Sequence, residues 1–183
     1  MTEIELVKSC LEGNVESYRG LMNKYSESAM AVALNILLNY EDAEDACQEA
    51  FLRAYQNLKK FDLKKNFKNW FYAILLNLCV DRIRKKKRFH HFLSRLQRKE
   101  MERTVIRPVN PAAGPVLETK FLRHLSPRER ISLYLWSQEG CSGAEIASIL
   151  GCSLSTAHVY LFRARTKLRV LMREKENEKM SKD

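Results

Sequence analysis

Three sets of residues have the types and spacing to do chemistry or to hold a ligand. The first is a run of carboxylates, Glu41, Asp42, Glu44, Asp45 and Glu49. Such a cluster can serve as a hard-cation site or as an acid–base pair. No histidine accompanies it and the chain has no Gly-rich phosphate loop, so a solvated or partner-facing helix surface is the stronger reading. The second set is Phe61, Phe67, Trp70, Phe71 and Tyr72, followed by Arg82, Arg84, Lys85, Lys86, Lys87 and Arg88. Rings beside cations hold single-stranded nucleic acid: bases stack on the rings, at about 1–3 kcal/mol each, while the cations track the backbone. Trp70, Phe71 and Ile74 also share helical spacing and read equally well as core. The third set lies in a helix expected from residue 154 to about 174. Ser155, His158, Phe162, Arg165 and Arg169 form its front, with Thr156, Tyr160, Arg163 and Lys167 flanking. Ala157, Leu161, Ala164, Leu168 and Leu171 form its back. A helix that reads duplex DNA needs an apolar back, an N-terminal front of donors and flat groups for base edges, and C-terminal cations for phosphates.

Redox and metal chemistry find little support. Cys10, Cys47, Cys79, Cys141 and Cys152 are odd in number and no two form a CxxC pair, so free packed thiols in a reducing compartment are expected. His90 and His91 have no cysteine neighbours. Neither a metal nor a cofactor is expected.

The elements that must position these sets are helical throughout. Ala43, Ala46, Cys47, Ala50, Phe51, Ala54, Tyr55 and Leu58 follow a 3-4 spacing that predicts one apolar stripe on a helix over 40–58, capped by Asn39 with Asp42. Helices are also expected over 4–11 and 15–38. A loop over 59–66 leads to Asn66, which can cap a helix over 67–88 that is aromatic first and basic last. The stretch 89–115 is basic and then carries Pro108, Pro111, Gly114 and Pro115, so it reads as a linker with a helical start over 92–102. Ser126-Pro127-Arg128-Glu129 and Ser142-Gly143-Ala144-Glu145 are capping boxes, the first with proline at the first helical position. A short helix ending at Gly151, then a longer one capped by Ser153, make a helix-turn-helix. The expected fold is therefore all-α, with two helical domains, 1–88 and 116–176, on a flexible linker, and a frayed tail over 177–183.

The chain has 183 residues, 45% apolar and 30% charged, which suits one large or two small domains and excludes a disordered chain. No stretch approaches the roughly 18 apolar residues of a membrane span, and the acidic N-terminus has no signal-peptide core. A cytoplasmic protein is expected. The net charge of +10 is unevenly spread. Residues 1–80 hold nine Lys and Arg against eleven Asp and Glu; residues 81–110 hold eleven against three. An acidic front suits a basic protein surface, and a basic middle suits phosphate.

The run Asp42-Ala43-Glu44-Asp45-Ala46-Cys47-Gln48-Glu49-Ala50-Phe51-Leu52-Arg53-Ala54-Tyr55 resembles the most characteristic helix of bacterial RNA polymerase sigma factors of the compact extracytoplasmic-function (ECF) group. Phe61-Asp62, Phe67, Trp70 and Asn77-x-x-x-Asp81-x-x-Arg84 are similar to that group's promoter-melting segment. Leu125-Ser126-Pro127-Arg128-Glu129-Arg130, Glu145-Ile146-Ala147-x-x-Leu150-Gly151-Cys152-Ser153-x-x-Thr156 and Leu161-Phe162-Arg163-Ala164-Arg165-x-x-Leu168 resemble its C-terminal domain. The likeness covers about 15–88 and 116–173. Asn66 stands where the group often has Gly or Ser, His158 where Lys or Arg is common, and Val159-Tyr160 where Ser-Arg is common.

The resemblance implies a dissociable initiation subunit rather than an enzyme. Asp45, Gln48, Glu49 and Arg53 would bind core RNA polymerase, whose largest and second-largest subunits are the implied partners. Phe61, Asp62, Asn66, Phe67, Trp70, Asn77, Arg82 and Arg84 would bind the minus-ten promoter element, with loop 61–67 taking a flipped base. Flipping costs a few kcal/mol, offset by a pocket. Ser155, Thr156, His158, Tyr160, Phe162, Arg163 and Arg165 would bind the minus-thirty-five element. An anti-sigma factor is a further implied partner. Two rivals remain open at this level. A conventional helix-turn-helix repressor or activator would not need the acidic helix, and a nuclease would need a metal cluster that the sequence does not assemble.

Overall fold

The computed structural model describes the backbone of residues 2–96 and 119–180. The chain divides into two compact units, Met1–Asn110 and Pro111–Asp183.

In the first unit, α1 (Glu3–Leu11) packs on α2 (Val15–Leu37), which packs on α3 (Tyr40–Asn57) and α4 (Phe67–Leu96). Each boundary has a local cause. Thr2 and Glu5 form a capping box on α1, and Asn14 caps α2. Leu38 ends α2 in the left-handed region (φ 56), and its amide closes back on Leu34 O at 2.8 Å. Asn39 then caps α3 through Asp42 N at 2.8 Å, so two residues suffice to reverse the chain. The α3 stripe is made of small side chains: Ala43, Ala46, Ala50 and Ala54 are fully buried. Their size lets α2 and α4 both approach α3 closely. Phe71, Tyr72, Leu75 and Cys79 of α4 and Leu21, Val32 and Ile36 of α2 are all buried in this core, where the Tyr25 ring of α2 meets that of Phe71 at 6.0 Å. Each large apolar side chain so buried contributes about 1.5–3 kcal/mol.

In the second unit, α5 (Thr119–Leu122) precedes α6 (Pro127–Ser137), α7 (Gly143–Leu150) and α8 (Leu154–Met180). Both capping boxes form as the sequence predicts, and Ser153 Oγ accepts from Thr156 N at 3.2 Å. Gly151 takes the left-handed cap between α7 and α8 (φ 59), where a side chain would be strained. The two helices meet at 104°, within the range of helix-turn-helix units. Ile131, Leu135, Ile146, Ala157 and Ala164 form the core.

Three expectations need correction. Helix α4 runs on through the first eight residues of the expected linker, to Leu96, because Phe89 to Leu96 contain neither Pro nor Gly to stop it. The remainder of that linker, most of the helical start expected over 92–102, and residues 116–118 lie outside the described residues. Helix α8 runs to Met180 rather than about 174, since Glu174 to Lys179 are mostly strong helix formers; only 181–183 of the expected tail lie outside the description. Tyr55, expected in the buried stripe, is exposed and leans its ring on Tyr18, with centroids 4.9 Å apart.

No single described helix is long and apolar enough to cross a membrane. All five cysteines are free, four of them buried, and burial pushes the Cys47 and Cys79 thiols up to about 12. Such thiols are not nucleophiles at neutral pH.

Candidate partner and nucleic-acid interfaces

The alanine stripe of α3 turns its polar side outward. Asp45, Gln48 and Arg53 are exposed and Glu49 is half-buried. These four expected partner-binding residues therefore share one surface. They are also tied together. Arg53 Nη2 reaches Glu49 Oε1 at 2.6 Å, and Arg82 of α4 reaches Asp45 Oδ2 and Glu49 Oε2, each at 3.3 Å. Lys86 pairs with Asp42 one turn further along. Asp42 and Lys86 are 44 positions apart, and their contact depends on how α3 and α4 cross.

The expected minus-ten residues divide into three groups. Phe61 and Phe67 are core, 6% and 3% exposed, and meet edge to face at 5.6 Å. Their rings are not offered to a base. They pin the two ends of the loop between them. Within it, Asp62 accepts from Lys64 N at 3.0 Å, and Asn66 caps α4 through Asn69 N at 3.1 Å. Asp62, Lys64, Lys65 and Asn66 stay exposed on this anchored turn. The half-buried Trp70 packs one side on Phe61 and Phe67, at 5.1 and 5.7 Å. Trp70, Asn77 and Arg84 are seven residues apart, which keeps them in one stripe along α4. Asn77 and Arg84 are exposed, and Arg84 makes a loose i,i+3 pair with Asp81 at 3.4 Å. Arg82, two residues before Arg84, points about 200° away, toward α3. It does not join the stripe with which the sequence reading grouped it.

In the second unit, the front of α8 is presented as expected at Ser155, His158, Phe162, Arg163 and Arg165, all exposed. Phe162 is 71% exposed, the highest value among the large apolar side chains of the described residues. Thr156 and Tyr160 are half-buried. The Thr156 hydroxyl is engaged with Ser153 Oγ at 2.8 Å, and Tyr160 lies under the Arg128 guanidinium at 6.0 Å. Thr156 is thus held at the start of α8, and Tyr160 is turned partly toward α6. Arg165 stacks on Trp136 of α6, 5.1 Å from the ring. Trp136 is 46% exposed, directly after the buried run Ile131 to Leu135, and the sequence analysis does not single it out. His158 lies against the first turn of α7: a methyl group at Gly143 would overlap its Nε2 and sit 2.9 Å from its Cδ2.

The scaffold under α8 is fixed by Glu129. This carboxylate is 5% exposed, accepts from Ser126 N at 2.7 Å to close the α6 capping box, and takes Lys167 Nζ of α8 at 2.8 and 3.0 Å. Burial raises its carboxyl, but the Lys167 ammonium and the Ser126 donors outweigh burial and hold it below the usual glutamate value. Among the described residues, no three His, Cys, Asp or Glu side chains converge as metal ligands.

Two family models match the chain. Residues 21–89 match Sigma-70 region 2 and residues 119–168 match Sigma-70, region 4, between them more than half of the chain. The chain is 29% identical to the ECF RNA polymerase sigma factor SigW of Bacillus subtilis, over 92% of this chain and 95% of that one. It is 25% identical to the ECF RNA polymerase sigma-E factor of Haemophilus influenzae, over 90% of this chain and 92% of that one. Among solved structures, the fold is similar to the sigma factor RpoE in complex with the anti-sigma factor NepR from Bartonella quintana. That likeness has TM-score 0.72 and 24% identity, and covers 86% of this chain and 98% of that one. It is also similar to CnrH in complex with the cytosolic domain of CnrY, with TM-score 0.69, 24% identity, and 94% and 97% of the two chains covered.

Proposed function

The chain belongs to the ECF group of sigma-70 RNA polymerase sigma factors, and on that premise we propose how its surfaces divide the work of directing transcription initiation. The exposed acidic face of α3, with Asp45, Gln48, Glu49 and Arg53, docks on a basic surface of core RNA polymerase. The anchored turn 61–66 receives a base flipped from the minus-ten element. Asp62 and Asn66 supply polar groups there, and Phe61 and Phe67 act by holding the turn in shape. Trp70, Asn77 and Arg84 line the path of the opened strand. The front of α8 enters the major groove of the minus-thirty-five element, with Ser155, Thr156, His158 and Phe162 nearest the base edges and Arg163 and Arg165 nearer the phosphates. Tyr160 supports α8 from its flank. The polymerase makes and breaks the bonds; this chain supplies placement and strand capture. An anti-sigma factor, of the kind captured with RpoE of Bartonella quintana, is a further partner in this reading.

The observation that carries the reading is the separation of two surfaces within one compact unit. Carboxylates of α3 lie on one surface, while Trp70, Asn77 and Arg84 run along a stripe of α4 that faces away from Arg82 and the α3 carboxylates. A protein that binds duplex DNA alone has no use for the acidic surface. Reversing its charge with Asp45→Lys and Glu49→Lys in one chain tests the assignment. Like charges then face the partner, which costs several kcal/mol. The variant is expected to keep its helical circular dichroism and to stop co-purifying with core polymerase. Undiminished co-purification contradicts the reading.

A further inference from the structure

Arg82 lies on the buried side of α4. Counting from Leu75, the positions 75, 78, 79 and 82 follow the 3-4 spacing of one helix face, and Leu75, Leu78 and Cys79 on that face are buried. Arg82 is the point at which this face reaches the surface. Its side chain is 25% exposed, and its guanidinium ends between Asp45 and Glu49, which stand four residues apart on α3. Its Nε is buried and has no hydrogen-bond partner among the described residues. The planar fork of a guanidinium suits two carboxylates at once, as an ammonium does not. Arg84 is the opposite case: exposed, with a loose pair to its own helix, and free to swing toward a phosphate.

We propose that Arg82 is a positioning residue for the polymerase-facing carboxylates, holding Asp45 and Glu49 from beneath, and that it does not contact promoter DNA. The proposal rests on the reading that α3 docks on core polymerase. To reach a phosphate, Arg82 would have to abandon two carboxylates and draw a partly buried stem out of the seam between α3 and α4. Keeping Arg82 in place fixes the rotamers of Asp45 and Glu49 before docking, so less side-chain freedom is lost when the partner arrives. Arg53 completes the arrangement from the other side of Glu49.

The proposal makes a prediction opposite to that of charge alone. Removing Arg82 makes the α3 face more acidic, and simple attraction to a basic partner would then grow. Loss of positioning weakens binding instead. The test uses the full chain with core polymerase and compares the wild type with R82M, R82K, E49Q and the double variant R82M/E49Q. Methionine keeps an apolar stem and drops the guanidinium; lysine keeps the charge with a single donor group. Thermal melting checks that each variant is folded, and R82K carries the comparison should R82M fail to fold. R82M is expected to bind core about tenfold more weakly and R82K about threefold, with R82M adding little on top of E49Q. At saturating core polymerase, permanganate reactivity of the opened promoter is expected to match wild type for R82M and to fall for R84M. Wild-type or tighter core binding by R82M overturns the proposal, as does additivity with E49Q or lost opening at saturating core. If the D45K/E49K chain loses core binding while R82M does not, the inference fails alone. If D45K/E49K binds core normally, the docking reading fails and takes the inference with it.

Discussion

The face of α3 and the front of α8 present their exposed residues in different ways. On α3, the side chains that would meet polymerase are already partnered from α4 and from within α3 itself: Arg82 holds Asp45 and Glu49, Arg53 holds Glu49, and Lys86 holds Asp42. On α8, Arg165 stacks on Trp136 and Thr156 is held by Ser153, but His158, Phe162 and Arg163 stand out in solvent, and what is fixed there is the helix that carries them. Two caps, the Gly151 turn and the Glu129–Lys167 contact set its direction. The first surface is preorganised side chain by side chain; the second is preorganised as a rigid body. A partner with a fixed protein surface favours the first arrangement. DNA of many sequences favours the second, because side chains that must choose among bases keep their rotamers free until they meet one.

The largest effect expected in the second unit comes from cutting its scaffold. Glu129→Gln removes the charge from a carboxylate that closes a helix cap and grips α8. Lys167 remains partly solvated, so the cost is about 1–2 kcal/mol rather than that of a fully buried pair. Melting followed by tryptophan fluorescence at Trp136 should show it, while core binding through α3 is unchanged. The pH dependence has a definite sign. A glutamate held below its usual value contributes stability above that value and loses it as pH falls through the lowered one. The wild-type second unit should therefore lose stability below about pH 4, where the ordinary glutamate range lies, and the Gln variant should lose less over the same interval.

A smaller effect sharpens the idea that the α8 front is read with free rotamers. Gly143→Ala puts a methyl group where the His158 ring now lies. The ring is exposed and can rotate away, and alanine favours the helix, so stability should hardly change. The preference among minus-thirty-five sequences should shift as it does for His158→Ala, by about 1 kcal/mol at the affected base pair, the low end for a lost base contact. Equal preference in a binding-site selection, with Gly143→Ala and wild type side by side, would remove His158 from the reading set. The smallest effect belongs to Arg163→Ala. If Arg163 meets a phosphate, affinity falls alike for all sequences, and the slope of log K against log salt shrinks by about one. A sequence-dependent loss would instead make Arg163 a base contact.

Helix order and most helix ends were legible in the sequence, because the signals are local. Ser126 with Glu129, Ser142 with Glu145, Asn39 before α3 and Gly151 after α7 all act within a turn of themselves. The ends at Leu96 and Met180 fall beyond the expected ones because no Pro or Gly stands at residue 88 or 174 to stop either helix. Side-chain roles were harder. Phe61 and Phe67 look like base platforms beside lysines, yet their burial depends on contacts with each other and with Trp70 and Phe71. Arg82 and Arg84 look alike in a basic run. Only the helical spacing from Leu75 and Cys79 separates them. The stacking of Arg165 on Trp136 joins residues 29 positions apart, which no local pattern reveals.

The central claim is that this chain confers promoter choice on core polymerase. Run-off transcription on a genomic fragment library measures it directly, with core polymerase alone, the chain alone, and both together. The account predicts discrete transcripts from a limited set of start sites only when both are present, and only weak duplex binding by the chain on its own, since each small domain makes few contacts. Transcripts unchanged by adding the chain, together with nanomolar duplex binding by the chain alone at physiological salt, would contradict it and point to a conventional helix-turn-helix regulator.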